Sequence, residues 1–374
     1  MSLSTQARSP RAAGAPAGAD TSSTTRTPTR RTSRLRVLHS LNPPDGTTKY
    51  VDQMVDGAPA EVEVLFFSWW RALLGRYDVL HVHWPELLVR DRRRIARLAK
   101  RRALDALLIR LRLLRVPIVW TAHNLEPHEP GPPAEQRSLE RFHRAVTLVI
   151  RLNPTTQVDG PQPVVTILHG HYRAQFAEYE HPPTEPGRLL YFGIIRPYKG
   201  VDRLLDAFRA LADPDVSLRV VGHPHAGQRE IVEAATDVDP RITADLRFVE
   251  DAQLAEEFGR SEVVVLPYRE NMHNSGVVLV ALSLDRPVLV PRSPTNEALA
   301  AEVGPGWIVQ YDGELGPQTL TAALAEVRAR PGLAGPRLED RDWDVVGARH
   351  HDAYRRARAL ARRGRRRRPL QEQP

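Results

Sequence analysis

Short apolar runs recur along the chain, each closed by a turn and followed by a stretch with helical spacing. The first run, residues 35–41 (LRVLHSL), is stopped by Asn-Pro-Pro-Asp-Gly. A helical pattern covers about 47–56, and EVEVLFF, YDVLHVH and VPIVWTAH then read as strands. PVVTILHG, residues 163–170, ends this series. After a proline-rich linker at 181–187 the rhythm restarts with RLLYFG, VSLRVVG, DLRFVE, EVVVLPY, RPVLVP and GWIVQY. A helical segment separates each pair. Such alternation predicts an α/β protein with parallel sheets covered on both faces. The break near residue 180 predicts two Rossmann-like domains facing across a cleft, with ligands at the carboxyl ends of the strands.

With 374 residues, two domains are expected rather than one core. The pattern divides the chain into a disordered basic tail (1–33) and two Rossmann-like domains (34–180 and 181–340). A C-terminal helix (341–362) and a second basic tail (363–374) follow. The chain has no cysteine, which excludes disulfides and thiolate metal sites and fits a cytoplasmic setting. No apolar run approaches the ~18 residues of a membrane span, and the first residues lack the apolar core of a signal peptide.

The net charge of +8 is unevenly distributed. Residues 1–36 carry seven Arg against one Asp, and residues 355–374 nine Arg against one Glu, which leaves the body between them acidic. Within that body, residues 90–115 hold eleven basic and two acidic side chains. Leu98, Leu104, Leu107, Leu108, Leu111 and Leu114 fall there at helical spacing, predicting an amphipathic helix with an arginine-dense outer face. One reading of that face is a solvated helix side. The other is peripheral attachment to anionic membrane, aided by the tails. Nucleic-acid binding is not expected, because no aromatic interleaving or base-reading fold accompanies the charge.

The strand ends carry the candidate chemistry. In GIIRPYKG, Arg196 and Lys199 follow the first strand of the second half. An arginine fork and a lysine point charge suit phosphate oxygens, although a solvated loop would also hold them. After EVVVLPY, Asn274, Ser275 and Gly276 open a helix whose free N–H groups make an anion seat; the plainer reading is an ordinary N-cap. In the first half, WTAHNLEPHE leaves its strand with His123, Glu126 and Glu129, suited to sugar hydroxyls and proton transfer. Metal ligation is the rival there, but Pro127 interrupts helical ligand spacing. HVHWPE brings His83 and Glu86 to another strand end. The loop with Gly46 and Thr47 has the place of a cleft wall for an acceptor. Asp-x-Asp triplets are present, but none ends an apolar strand, so no metal site is expected.

YFGIIRPYKGVDRLLDAF, LRVVG, SEVVVLPY and ALSLDRPVLVP resemble the C-terminal half of GT-B-fold glycosyltransferases akin to family 4, and YDVLHVHWPE and IVWTAHNLEPHE the N-terminal half. The resemblance spans about residues 35–360. It implies transfer of a hexose from a nucleotide-diphosphate sugar to a glycan or lipid-linked acceptor, with no metal or cofactor required. Arg196 and Lys199 match the family's diphosphate-binding cations, His123 its histidine facing the transferred sugar, and Ser275 and Gly276 its donor loop. The family's paired glutamates are replaced: the positions fall near Met272 and at Val280, with Glu270 the nearest acid. In this the chain resembles divergent bacterial exopolysaccharide enzymes, including β-mannosyltransferase-like ones. An inverting reaction would draw its general base from Glu126, Glu129 or Glu86. The alternatives are an epimerase or hydrolase on the same fold, or a non-catalytic basic binding protein.

Overall fold

Six strands build the first half: β1 (Leu35–His39), β2 (Val62–Phe66), β3 (Val79–Val82), β4 (Ile118–Ala122), β5 (Leu148–Arg151) and β6 (Val164–Thr166). They pair in the order β2-β1-β3-β4-β5-β6, all parallel. Helices α1 (Lys49–Asp56), α2 (Trp69–Leu74), α3 (Arg94–Leu114) and α4 (Pro133–Ala145) connect them, and α5 (Arg173–Phe176) follows. The second half repeats the plan with β7 (Arg188–Phe192), β8 (Ser217–Val221), β9 (Ile242–Asp245), β10 (Val263–Val265), β11 (Val288–Pro291) and β12 (Ile308–Tyr311). Their order is β12-β11-β10-β7-β8-β9, again all parallel. Its helices are α6 (Val201–Arg209), α7 (Arg229–Val238), α8 (Asp251–Arg260), α9 (Gly276–Ser283), α10 (Pro294–Val303) and α11 (Pro317–Arg328), and α12 (Trp343–Arg363) closes the chain. This computed structural model describes residues 34–363 apart from 45–48, 124–130, 270–274, 331 and 333. Of the residues singled out above, Gly46, Thr47, Glu126, Glu129, Glu270 and Asn274 lie outside the described set, as does the tail 1–33.

Strands buried on both faces explain the sheets. β3, β4 and β10 are buried at every position, as expected where helices cover both sides of a parallel sheet. The alternating pattern differs from the observed elements at three places. β5 is a strand that the series above leaves out, although the run around it, VTLVIRL, is rich in β-branched residues. The strand expected over 245–250 is displaced toward the N-terminus as β9, and Phe248 is 78% exposed. In α3 the buried face is Leu104, Leu107 and Leu111, whereas Leu98 and Leu114 point outward.

The last helix does not stay with the half that precedes it. Val346, Ala353, Tyr354 and Ala357 of α12 pack against Val37, Val79, Val119 and Ile150, covering one face of the first sheet. Just before it, Arg341 is buried and donates to the His169 carbonyl at 2.9 Å while forking onto Glu302 of α10 at 2.5 and 2.8 Å. The halves are further joined by Lys49 with Asp251 (2.7 Å), Thr155 with Thr295 (2.8 Å) and the Tyr172 amide with Ser283 (2.8 Å). From Arg34 onward the chain is one compact unit. Among the described residues no helix is long and apolar enough to cross a membrane.

Candidate active site between two strand-end clusters

Both sheets present polar side chains at their carboxyl ends, but of opposite character. In the second half, β7 leads through Gly193 and Ile194 into a short 3₁₀ turn, Pro197–Lys199, capped by Gly200. Gly200 has φ 69°, a left-handed conformation that L side chains adopt at a cost, and a Cβ there would collide with the Pro267 carbonyl. The turn brings Lys199 Nζ over the Tyr268 ring, 5.9 Å from its centroid. Tyr268 in turn bonds the Ser275 hydroxyl at 3.0 Å. Ser275 caps α9, accepting from the Val278 amide at 3.5 Å. Gly193 has φ 130° and no side chain, and a Cβ there would stand only 3.2 Å from Lys199 Nζ and 3.5 Å from Val277. Lys199 and the first turn of α9 therefore both approach Gly193.

Neither Arg196 nor Lys199 forms an ion pair among the described residues, and the buried Arg196 Nε has no hydrogen-bond partner. Burial, with Arg196 adding repulsion, lowers the Lys199 pKa to about 8. Two cations without counter-charge, beside a helix amino end, form a site that an anion stabilises.

The first half has a histidine string instead. His39 ends β1, His81 lies in β3, and His83 and His123 follow β3 and β4. His39 Nδ1 lies 3.2 Å from His83 Nε2, and His83 Nδ1 lies 3.1 Å from His123 Nε2. His81 is held at both nitrogens, by Tyr354 of α12 (2.8 Å) and Thr121 (2.7 Å). Burial lowers every one of these pKa values, His39 and His123 to about 3 and His169 and His350 to about 4, with His81 and His83 well below the ordinary value. The rings are therefore neutral near pH 7. A neutral ring has one N–H, so donation runs in one direction along His39–His83–His123, and one tautomer sets the next. His39, His81 and His83 also place ligand-type atoms within 4.8 Å of one another. The hydrogen bonds just described already engage one atom or both on each ring.

Tyr50 of α1 lies at the centre, its ring 5.0 Å from His123, 4.9 Å from His169 and 5.6 Å from Trp343. Trp84 stacks on His123 at 4.4 Å and 18°. His169, Asn153, Tyr268, Ser275, Glu302 and Arg341 line a small cavity of about 50 Å3 between the halves. Glu86 sits half-buried in the turn Pro85–Leu88. Sequence reasoning found His83, His123, Lys199 and Ser275 because each follows a strand. It did not single out His39, His81, His350, Tyr354 or Tyr50, which sit within elements and show no local signal.

Two facing parallel α/β halves with this pair of strand-end clusters are the GT-B arrangement of glycosyltransferases. Solved structures share it: HepE from Anabaena in complex with UDP superposes with TM-score 0.57 at 14% identity, over 89% of this chain and 98% of that one. AviGT4, a glycosyltransferase involved in avilamycin A biosynthesis, does so at 0.53 and 14%, over 87% and 98%. The family profile described as glycosyl transferases group 1 matches residues 186–329. Two proteins of Xanthomonas campestris pv. campestris, each named GDP-mannose:glycolipid 4-beta-D-mannosyltransferase, are 48% identical over 323 residues, 86% of this chain and 92% of theirs. The chain belongs to the same glycosyltransferase family as these two proteins, and it is a glycosyltransferase. The epimerase, hydrolase and binding-protein alternatives find no support in these relatives.

Proposed function

We propose that the enzyme transfers mannose from GDP-mannose to a glycolipid, forming a β-linkage with inversion at the anomeric carbon. The relatives' name supports donor, acceptor and product linkage. GDP-mannose carries its sugar α-linked, so a β product requires attack from the opposite face. The acceptor hydroxyl oxygen bonds to the anomeric carbon as the carbon–phosphate oxygen bond breaks; its proton passes to a carboxylate base drawn from Glu126, Glu129 or Glu86, and GDP leaves with the electron pair. Negative charge grows on the departing diphosphate, and groups that meet it only then lower the barrier. The observation that carries the reading is the uncompensated pair Arg196 and Lys199 beside the Ser275-capped end of α9. These groups supply the positive charge that a metal ion would otherwise supply, so turnover is expected to survive chelation. His123, neutral and oriented through His83, faces the transferred sugar.

The test is turnover of GDP-mannose by Arg196→Ala, Lys199→Ala and their combination. Loss of a transition-state donor costs on the order of 10²–10³ in kcat, so the double variant falls at least that far. Wild-type kcat/KM in the double variant would remove the proposed role.

The glycolipid reading carries a location with it, the cytoplasmic membrane face. Ile95, Leu98, Ile109 and Leu113 stand 56–85% exposed along α3, between its arginines, and Trp70 of α2 is 76% exposed. Apolar side chains among cations suit an interface with anionic lipid. Sedimentation with vesicles should retain the enzyme on phosphatidylglycerol and release it when Ile109 and Leu113 become Ser. Equal binding to neutral vesicles would count against it.

A further inference from the structure

We infer that His39 is a positioning residue for the transfer: acting through His83, it fixes which nitrogen of His123 carries the proton. Its purpose rests on the transferase reading, in which His123 meets the transferred sugar, but the evidence for the linkage is geometric. His39 and His81 are register partners on the parallel strands β1 and β3. Side chains alternate along a strand, so His83, two residues past His81, stands on the same face as both. The His83 amide donates to the Ser40 hydroxyl at 3.0 Å and pins that strand end. His123 follows β4, the next strand of the sheet.

His83 is bonded to an imidazole at each nitrogen, Nε2 to His39 Nδ1 and Nδ1 to His123 Nε2. Neutral rings then allow two arrangements only. Either every ring carries its proton on Nδ1 and donation runs from His39 to His123, or every ring carries it on Nε2 and donation runs back. Any mixed set puts two N–H groups or two lone pairs face to face at 3.1 or 3.2 Å. The His39 end of the string is closed. That ring is 2% exposed and lines a cavity of about 10 Å3 whose other walls include Met54, Val62, Val64 and Val346. Such a space holds one water at most and offers it few polar partners. The string therefore opens to solvent at His123, the partly exposed ring. His81 stays outside it, since Tyr354 and Thr121 take its nitrogens, and packs 4.8 Å from His39 and 4.2 Å from His83. Without His39, the buried Nε2 of His83 loses its partner, His83 takes either tautomer, and His123 follows it.

The experiment labels the histidines of the full-length protein with nitrogen-15 and reads their tautomers by NMR beside GDP-mannose turnover. In the wild type near pH 7, His39, His83 and His123 should all be protonated on the same-named nitrogen. His39→Leu should mix the two tautomers at His123. It should also lower kcat about tenfold, the upper scale of one neutral hydrogen bond, with KM for GDP-mannose kept within twofold. His39→Asn, whose amide replaces Nδ1 as a partner for His83, should restore a single His123 tautomer and most of kcat. The thermal shift given by GDP should be kept in both variants, which shows that they fold. Should the leucine variant not fold, the wild-type and asparagine spectra still decide. Unlike tautomers among the three wild-type rings would overturn the linkage. So would an unmixed His123 or wild-type kcat in His39→Leu, or two His123 tautomers in His39→Asn. Failure of the transferase reading has a different signature: no GDP-mannose turnover, with the shared tautomer intact.

Discussion

The two strand-end clusters differ in how their polarity is compensated. The histidines of the first half are partnered by one another and by Thr121 and Tyr354, and burial keeps them uncharged. Arg196 and Lys199 of the second half have no ion pair among the described residues, and burial lowers the Lys199 pKa to about 8. The contrast matches the demands of the reaction. On the proposed reaction a departing diphosphate needs positive charge, and binding it would relieve the repulsion between Arg196 and Lys199. A sugar being attacked needs neutral groups of defined direction, because a cation there would oppose positive charge developing at the anomeric carbon.

Acid should break the contrast most severely. A histidine whose folded pKa lies below its unfolded value of ~6.5 takes up its proton first in the unfolded state. Stability is then fully present above about pH 6.5 and is lost as pH falls toward the folded values of about 3 to 4. Each such histidine contributes a slope of about 1.4 kcal/mol per pH unit. Melting temperature should therefore drop steeply between pH 6.5 and 5, well before the carboxylates titrate, and a flat profile over that range would contradict the neutral string.

A smaller effect isolates one partner of the string. Tyr354→Phe removes the hydroxyl on His81 Nδ1 without changing the ring, leaving a buried nitrogen unpaired at about 1–3 kcal/mol. Denaturant unfolding should show that loss while GDP affinity is preserved. An equal loss in GDP affinity would show that the two clusters are not separable.

The third prediction acts on the cation side alone. With a Lys199 pKa of about 8, the free enzyme loses the charge that binds diphosphate as pH rises. GDP affinity should fall about tenfold between pH 7 and pH 9 and lose most of that dependence in Lys199→Ala. The same slope in the variant would assign the titration to another group.

The chain by itself determined the architecture and the side of each sheet that carries chemistry. Apolar runs of strand length alternating with helical spacing allow few arrangements other than covered parallel sheets, and a residue just after such a run must stand at a strand end. His123, Lys199 and Ser275 were legible for that reason. The identity of an element is a local property, set by periodicity within about ten residues. Pairing is not local. That β5 joins the first sheet, that β9 lies N-terminal to DLRFVE, and that α12 returns to the first half are decided by which surfaces remain to be covered. Folding alone bonds His81 to Tyr354, 273 residues away in sequence, and His39 to His83. It also leaves Lys199 without an ion pair among the described residues, in a chain rich in opposite charges. Whether a charged side chain is compensated depends on what the finished fold puts beside it.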